Sequence, residues 1–217
     1  MKKILTMVVA LLVCMGAQAQ IVSSRSSIVK TEKQASNTQW FLRGGLNLMK
    51  MNAGDNMDAL KSNIGYNVNV GFAKPMGSAG AYWGMDFGLT SRGYKIKDEG
   101  EKIKSIAHAV QVSPFTFGWK FDVLDNLTID PHIGAFVSCD YTSKSKYDGE
   151  SWSWSDEADA MEVDYNRFDA GLNVGVGVWY NRFNLDFSYQ HGFIDVYSDM
   201  EDGFKSNNFM IRFGIAF

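Results

Sequence analysis

The sequence has 217 residues, of which 46% are hydrophobic and 21% are charged, and its formal net charge is −3. This length suits one domain of ordinary size. The slight acidic excess argues against nucleic acid as a partner, because phosphate binding requires a basic surface.

Residues 1–19 are typical of a secretory signal peptide. Two lysines precede an apolar run that is too short to span a membrane, and Ala17-Gln18-Ala19 supplies the small residues that a signal peptidase requires. We therefore expect cleavage between Ala19 and Gln20. Residues 20–38 are rich in serine with mixed charge, and we interpret them as a flexible periplasmic segment.

The leader contains one of the two cysteines, Cys14. It leaves a lipoprotein signal open as an alternative, although the preceding Val13 is bulkier than the small residue expected there. After cleavage only Cys139 is left, so we expect no internal disulfide.

Eight later segments alternate large apolar residues with small or polar ones, which is the pattern of a strand with two unlike faces. In the second segment, for example, Ile64, Tyr66 and Val68 alternate with Gly65 and Asn67. No helical periodicity of comparable length follows the leader. The predicted strands cover residues 41–49, 63–74, 82–92, 106–121, 127–141, 168–180, 183–191 and 207–217.

The fourth predicted strand changes phase at Ser113-Pro114. Proline lacks a backbone donor, and within a closed sheet it is best tolerated at a bulge. The sequence therefore predicts a β-bulge at this position.

The connections alternate between short and long. Short turns are predicted at residues 75–80, 122–126 and 181–182, whereas the connections between them are longer and more polar. An even number of antiparallel strands with short turns at one end and long loops at the other is typical of outer-membrane barrels.

The apolar face could point into a core, as in a lipocalin, or outward into lipid. An eight-stranded barrel is only wide enough to be filled by its inward side chains, and this sequence has too many large apolar residues for that space. The opposite face carries Gly, Asn, Ser and Asp, which suit a narrow polar lumen. We therefore predict an all-β, eight-stranded antiparallel up-and-down transmembrane β-barrel over residues 39–217, in the outer membrane of a Gram-negative bacterium.

The final strand places Phe213, Ile215 and Phe217 on the lipid face. This resembles the terminal aromatic signal by which the outer-membrane assembly machinery recognises its clients, so we expect that machinery as a partner. Outer-membrane lipid and lipopolysaccharide are the expected surroundings. A belt of interfacial aromatic residues is expected at the strand ends: Trp40, Trp83, Tyr94, Trp119, Tyr141 and Tyr180.

Charged residues fall on the predicted lumen face and must pair or meet water, because an unpaired buried charge is costly. A plug of ion pairs is the main interpretation, and a proton or ion path is the alternative. The predicted polar lumen residues are Arg43, Asp86, Arg92, Lys120, Asp130, His132, Asp169, Asp186 and Arg212.

We predict no catalytic, cofactor or metal site and no enzyme activity. A lipid-modifying enzyme would need a nucleophile beside a base, and the best residue set for one is His191 with Ser188 or Asp195.

Residues 142–164 form an acidic loop with seven acidic residues and two lysines. We expect a solvated loop, with divalent cations that bridge these carboxylates to lipopolysaccharide phosphates as the alternative. Trp152 and Trp154 could form a partner-binding patch or continue a strand above the membrane.

Four motifs resemble the Bacteroidetes-type outer-membrane β-barrel group often called PorT-like, which is related in architecture to OmpA and OmpX barrels. They are Ser91-Arg92-Gly93-Tyr94-Lys95, Val112-Ser113-Pro114-Phe115, Pro131-His132-Ile133-Gly134 and the glycine-rich run from Asp169 to Gly177. The resemblance implies the barrel fold and a possible link to protein secretion.

We therefore expect a small outer-membrane barrel with a plugged lumen in a structural or interaction role, which meets an unknown protein partner through its extracellular loops. A component of a secretion assembly and a lipid-modifying enzyme are the alternatives.

Overall fold

The computed structural model describes residues 38–53, 60–77, 79–98, 101–198 and 203–217. The predicted signal peptide, its cleavage site at Ala17, Ala19 and Gln20, and residues 20–37 of the predicted flexible segment lie outside the described residues.

Eight long strands form the architecture, and all eight predicted strands are confirmed. Most of them extend further than predicted at the end with the long connections, which is the extracellular end of an outer-membrane barrel. The strands are β1 (Gln39–Ala53), β2 (Asn63–Pro75), β3 (Ala81–Asp98), β4 (Glu101–Trp119), β5 (Leu127–Tyr147), β6 (Phe168–Tyr180), β7 (Phe183–Asp195) and β8 (Phe204–Ala216).

Each long strand pairs antiparallel with its neighbour in sequence, and β1 pairs with β8. The β1–β8 ladder runs from Phe41 opposite Ala216 to Ala53 opposite Phe204. The sheet is therefore a closed barrel, as predicted. Closure leaves the wall without a free sheet edge, so its backbone donors and acceptors are paired between strands, as a lipid environment requires.

The outward face of the barrel is apolar and the inward face is polar. Leu46, Ile64 and Phe213 expose about 60% of their surface to the outside, whereas Asn67 and Asp186 on the inward face are buried. This orientation confirms the lipid-facing prediction. The core of a soluble barrel would reverse it.

Two local features follow from the sequence. The β4–β5 register shifts between Val112 and Phe115, so the bulge predicted at Ser113-Pro114 is confirmed. Asn181 adopts a φ of 54° in the two-residue turn before β7, a left-handed conformation that asparagine tolerates better than most residues.

The connection predicted between the third and fourth strands is not a long loop. β3 and β4 continue to Asp98 and from Glu101, and their ladder stays in register to the tip. The sequence of this extension lacks the alternation of apolar and polar residues, because lysines such as Lys95 and Lys104 take the outward positions above the membrane.

The acidic segment 142–164 has regular structure, so the expected loop is wrong for most of it, although six of its seven acidic residues are exposed to solvent as expected. β5 continues to Tyr147, a short strand covers Glu150–Trp152, and helix α1 covers Trp154–Ala160. The absence of helical periodicity did not exclude this helix, because it has only seven residues. No helix in the described parts of the chain is long and apolar enough to cross a membrane.

An apolar cluster, which we call the cap, lies at the extracellular mouth and joins α1 to the strand ends. Trp154 is completely buried in it, which contradicts a role for that side chain in a partner-binding patch. Tyr94 is also buried there and does not belong to the interfacial aromatic belt. The cap consists of Met51, Leu60, Tyr94, Ala107, Trp154, Ala158, Val196, Tyr197 and Phe204, with Ile96, Val163 and Tyr165 packed against it.

Candidate functional site

The lumen beneath the cap is filled by side chains in three layers. Nearest the periplasm, Asp130 accepts hydrogen bonds from the Tyr82 hydroxyl at 2.8 Å and the Trp179 indole at 2.9 Å. The Lys120 ammonium lies 4.8 Å from the Trp179 ring centroid, and the Arg43 guanidinium lies 4.2 Å from that of Phe41. Cations over aromatic rings are stabilised even where a carboxylate is not in direct contact.

The middle layer is centred on Asp186, whose side chain is completely buried. Arg212 donates to its Oδ1 from Nε at 2.9 Å and from Nη2 at 2.5 Å, and the Ser188 hydroxyl donates to the same oxygen at 2.6 Å. His132 Nε2 lies 3.4 Å from the other carboxylate oxygen. Hydrogen bonds and nearby charged groups therefore stabilise the negative charge of Asp186, as a buried carboxylate requires.

The upper layer joins three strands directly below the cap. Arg92 on β3 donates to both oxygens of Asp140 on β5, with Nη2 at 2.7 Å from Oδ2, and its Nη1 lies 3.5 Å from Asp169 on β6. The Tyr165 hydroxyl donates to Asp140 at 2.5 Å, and Ser206 donates to Asp169. Burial and the nearby Asp140 carboxylate raise the pKa of Tyr165 well above its usual value, so this hydroxyl stays a donor.

The cap rests on this upper layer. Glu157 of α1 accepts hydrogen bonds from Tyr94, Ser145 and Trp152. Burial raises the pKa of Tyr197 far above its usual value. The charged helix is therefore tied to the strand ends of β3 and β5 by specific bonds as well as by apolar packing.

The predicted polar lumen residues occupy different layers and do not form one network. Eight of the nine are buried, and Lys120 is half-buried. Asp86 accepts a hydrogen bond from Ser113 at 3.1 Å. The periplasmic layer contains Arg43, Lys120 and Asp130, and the middle layer contains His132, Asp186 and Arg212. The upper layer contains Arg92 and Asp169. Asp86 lies outside the three layers and pairs with Ser113.

Sequence reasoning missed several members of these layers. Asp140 lies within the predicted fifth strand and continues the inward phase of Ser138, so the alternation of that strand identifies it as a lumen residue. Tyr82 and Trp179 also lie on inward phases, next to the predicted belt residues Trp83 and Tyr180, but large aromatic side chains are not the residues expected in a narrow polar lumen. Tyr165 comes from a connection and left no periodic signal.

Glycines opposite these side chains show how completely the lumen is filled. A Cβ added to Gly175 would lie 2.6 Å from His132 Nε2, and one added to Gly214 would lie 2.8 Å from Arg43 Cγ. A Cβ at Gly192 would lie 2.5 Å from an Asp169 oxygen. These approaches are closer than van der Waals contact, so each partner side chain lies over a glycine of the neighbouring strand and occupies the space that a side chain there would need.

The residue set considered for catalysis is not assembled. Ser188 points into the lumen, whereas His191 lies on the opposite face and contacts Asn207 at 2.7 Å. Asp195 accepts a hydrogen bond from the Phe204 backbone. Ser188 and Asp186 do approach His132, but both face the same nitrogen, Nε2, whereas a catalytic triad places its acid on the other nitrogen.

The acidic segment does not assemble a cation site. Among the described residues, no group of three or more histidine, cysteine or acidic side chains is placed to hold a metal ion. Asp156 instead completes a capping box with Ser153 at the start of α1, and Glu157 bonds the cap. Two of the seven carboxylates of this segment, Asp156 and Glu157, thus have structural partners within the protein.

A closed barrel with an apolar exterior, filled by polar side chains, can be compared with known proteins. A family model described as "Outer membrane protein beta-barrel domain" matches residues 18–198. The chain belongs to this family. As a member of the outer membrane protein β-barrel domain family, it is a small barrel of the Gram-negative outer membrane.

Solved structures similar to this family member have low sequence identity to it. Neisserial surface protein A is 14% identical with a TM-score of 0.46, over 82% of this chain and 97% of that chain. Ail, the attachment invasion locus protein of Yersinia pestis, is 18% identical with a TM-score of 0.43, over 83% and 99%. The translocator domain of autotransporter NalP from Neisseria meningitidis is 8% identical with a TM-score of 0.35, over 94% and 96%. No curated protein sequence matches the chain significantly.

Proposed function

We propose that this outer-membrane barrel does not conduct and acts as a structural and interaction protein. The observation that carries the proposal is the stack of three filled lumen layers beneath an apolar cap. An ion passing through would have to separate Arg212 from Asp186 and Arg92 from Asp140, and breaking a buried pair costs about 3–5 kcal/mol. Such a barrier opposes steady conduction.

Conductance across planar bilayers tests this part of the proposal. Purified barrel should give no reproducible unit conductance, while a conducting barrel inserted under the same conditions confirms that the assay detects channels. Stepwise currents of constant size from the wild-type protein would contradict the proposal.

The interaction role is supported by the rigid extracellular surface that α1 provides. Trp154 and Ala158 anchor one side of the helix in the cap, which leaves Asp159 exposed on the other side. A surface held in one conformation loses little entropy when a partner binds. The proposed partner is a protein that meets the loops from outside the cell.

Site-specific photo-crosslinking in living cells tests this role. A photoreactive residue in place of Asp159 should give a discrete cross-linked species, whereas one in place of exposed Lys74 near the periplasmic turn should not. Identical adducts at both positions would indicate random collision and would contradict a specific extracellular partner.

A second candidate function is a component of a secretion assembly. It rests on the resemblance of the four sequence motifs to the PorT-like group. The two candidates differ in where the partner binds, because a secretion assembly also requires contacts with periplasmic or membrane subunits. A stable species cross-linked through Lys74 alone would favour the secretion role.

The outer-membrane assembly machinery is the proposed partner during biogenesis. Phe213 and Phe217 stay exposed on the outside of β8, where another protein can reach them. Phe217 also donates its backbone N–H to the Trp40 carbonyl, so it lies at the β1–β8 seam where the barrel closes.

A further inference from the structure

Four lysines lie side by side across four neighbouring strands on the outside of the barrel. Lys61, in the short strand Leu60–Lys61, is opposite Lys95 on β3, Lys95 is opposite Lys104 on β4, and Lys104 is opposite Lys146 on β5. We call these four residues the lysine row. With strands about 4.8 Å apart, the row spans roughly 15 Å.

The lysine row is on the outward face. On β4 and β5, the residues that alternate with the row's members, Ser105 and Ser145, are buried and bond each other inside the barrel. Lys104 and Lys146 therefore point outward and are exposed, as is Lys144 one step lower on β5. No ion pair within 4.0 Å involves Lys95, Lys104 or Lys146 in the part of the chain that the structure describes.

Such a row works against the stability of the sheet. Like charges directly opposite each other on neighbouring strands are destabilising. Here one lysine lies directly opposite another in three successive strand pairs. Beyond Lys146 the next strand offers Ser151, which carries no charge. Water and counterions screen Lys95, Lys104 and Lys146 in solution, and an anionic group that approaches the outer wall would supply a neutralising charge.

The position of the row relative to the membrane identifies the source of that charge. Tyr66, His108 and Tyr141 stack on the outer wall with ring centroids 5.5 and 6.3 Å apart, and such rings mark the membrane interface. Lys104 is four residues beyond His108 on β4, which places it about 10 Å further out for a strand tilted by about 40°. Lys144, opposite Ile106, lies about 5 Å above the rings by the same measure.

We infer that the lysine row, with Lys144 below it, binds the phosphate groups of a phosphorylated glycolipid of the lipopolysaccharide type in the outer leaflet. Its charges lie just beyond the hydrocarbon, at the level of a large anionic headgroup. Flexible lysine stems can adjust to several phosphates at once. Lys144 and Lys146 are the two lysines of the acidic segment, so this site uses basic side chains of that segment and not the carboxylates for which cation bridging to the same lipid was expected.

The row variant Lys95→Gln/Lys104→Gln/Lys146→Gln tests the inference against a control variant, Lys74→Gln/Arg182→Gln, that removes exposed positive charge at the periplasmic turns. Binding of bisphosphorylated lipid A to the detergent-solubilised full barrel is measured by thermophoresis. Because each lysine near an anionic membrane surface contributes about fivefold, the row variant should bind roughly 100-fold more weakly. The control variant should bind within about threefold of wild type.

Two further measurements keep the test decisive. Fully dephosphorylated lipid A with the same acyl chains should bind wild type and row variant equally. Without lipid A, the row variant should melt at the same temperature as wild type or higher, because the repulsion is removed; with lipid A, the order should reverse.

Three results would overturn the inference. These are equal losses of lipid A binding in the row and control variants, undiminished binding of dephosphorylated lipid A by wild type, and displacement of lipid A by polyglutamate at equal charge concentration. The last would point to an acidic protein as the occupant of the row.

Discussion

Arg92 and Asp140 pair across the lumen although β4 separates their strands. The Arg92 Nη2 atom lies 2.7 Å from Asp140 Oδ2, its Nε lies 3.0 Å from both carboxylate oxygens, and both side chains are buried. The pair therefore connects β3 to β5 over the inner face of β4, directly under the cap. Its neighbours Asp169 and Tyr165 extend the same connection to β6 and to the segment after α1.

Substitution Arg92→Met should lower the free energy of unfolding by about 3–5 kcal/mol, because it leaves the Asp140 carboxylate buried and unpaired. The double variant Arg92→Met/Asp140→Leu should recover most of that loss. Urea unfolding of the barrel in lipid vesicles measures both. A double variant that is as unstable as the single one would show that packing, and not the unpaired charge, determines the loss.

Substitution Trp154→Ala should loosen the cap without opening the lumen. The Trp154 side chain is completely buried, and removing a buried tryptophan costs about 3–5 kcal/mol. Hydrogen exchange of residues 154–160 should accelerate, whereas planar-bilayer conductance should stay absent because the three layers below are intact. Trp152→Ala, at a partly exposed position, is the control and should have a smaller effect.

The start of α1 should weaken at acidic pH. Hydrogen bonds from the Ser153 backbone and side chain hold the pKa of Asp156 below its ordinary value of 3.8. A depressed folded-state pKa means that this contribution is complete above the unfolded value and is lost as the pH falls through the folded value. Hydrogen exchange of α1, normalised to an unstructured peptide, should therefore rise between about pH 5 and about pH 2.5.

Asp156→Asn should flatten that pH dependence, whereas Asp159→Asn, outside the capping box, should retain it. If both variants keep the wild-type slope, another carboxylate controls the stability of the helix.

Phe217→Ala should impair assembly in cells by more than its effect on the stability of the finished barrel explains. Phe217 is 76% exposed on the lipid face, so its loss should lower the free energy of unfolding by at most about 3 kcal/mol, and Phe187→Ala should cost a similar amount. The ratio of folded to unfolded protein, read from heat-modifiable gel mobility of isolated outer membranes, should fall several-fold. Phe187→Ala, another lipid-facing phenylalanine, is the control, and an equal decrease in both would refute a signal at Phe217.

The structure also explains why sequence interpretation failed in the connections. The sequence from Thr142 to Asp164 predicts an acidic loop because it contains seven carboxylates and only two lysines. Its order depends on Trp154, which packs against Tyr94, Tyr165 and Tyr197 from distant parts of the chain. A single aromatic residue in a polar segment carries no periodic signal, so only its three-dimensional neighbours reveal the cap.

The sequence by itself determined the barrel, because alternation with a period of two is a local property that each strand displays alone, as in Ile64 to Phe72. It also placed most of the charged lumen residues on the inward face, with Asp140 as the exception. Only the tertiary structure decided which of them meet, since the pairing of Arg92 with Asp140 and the alignment of Lys61, Lys95, Lys104 and Lys146 depend on the stagger of neighbouring strands. Register is set by the closure of the whole sheet, and no single strand encodes it.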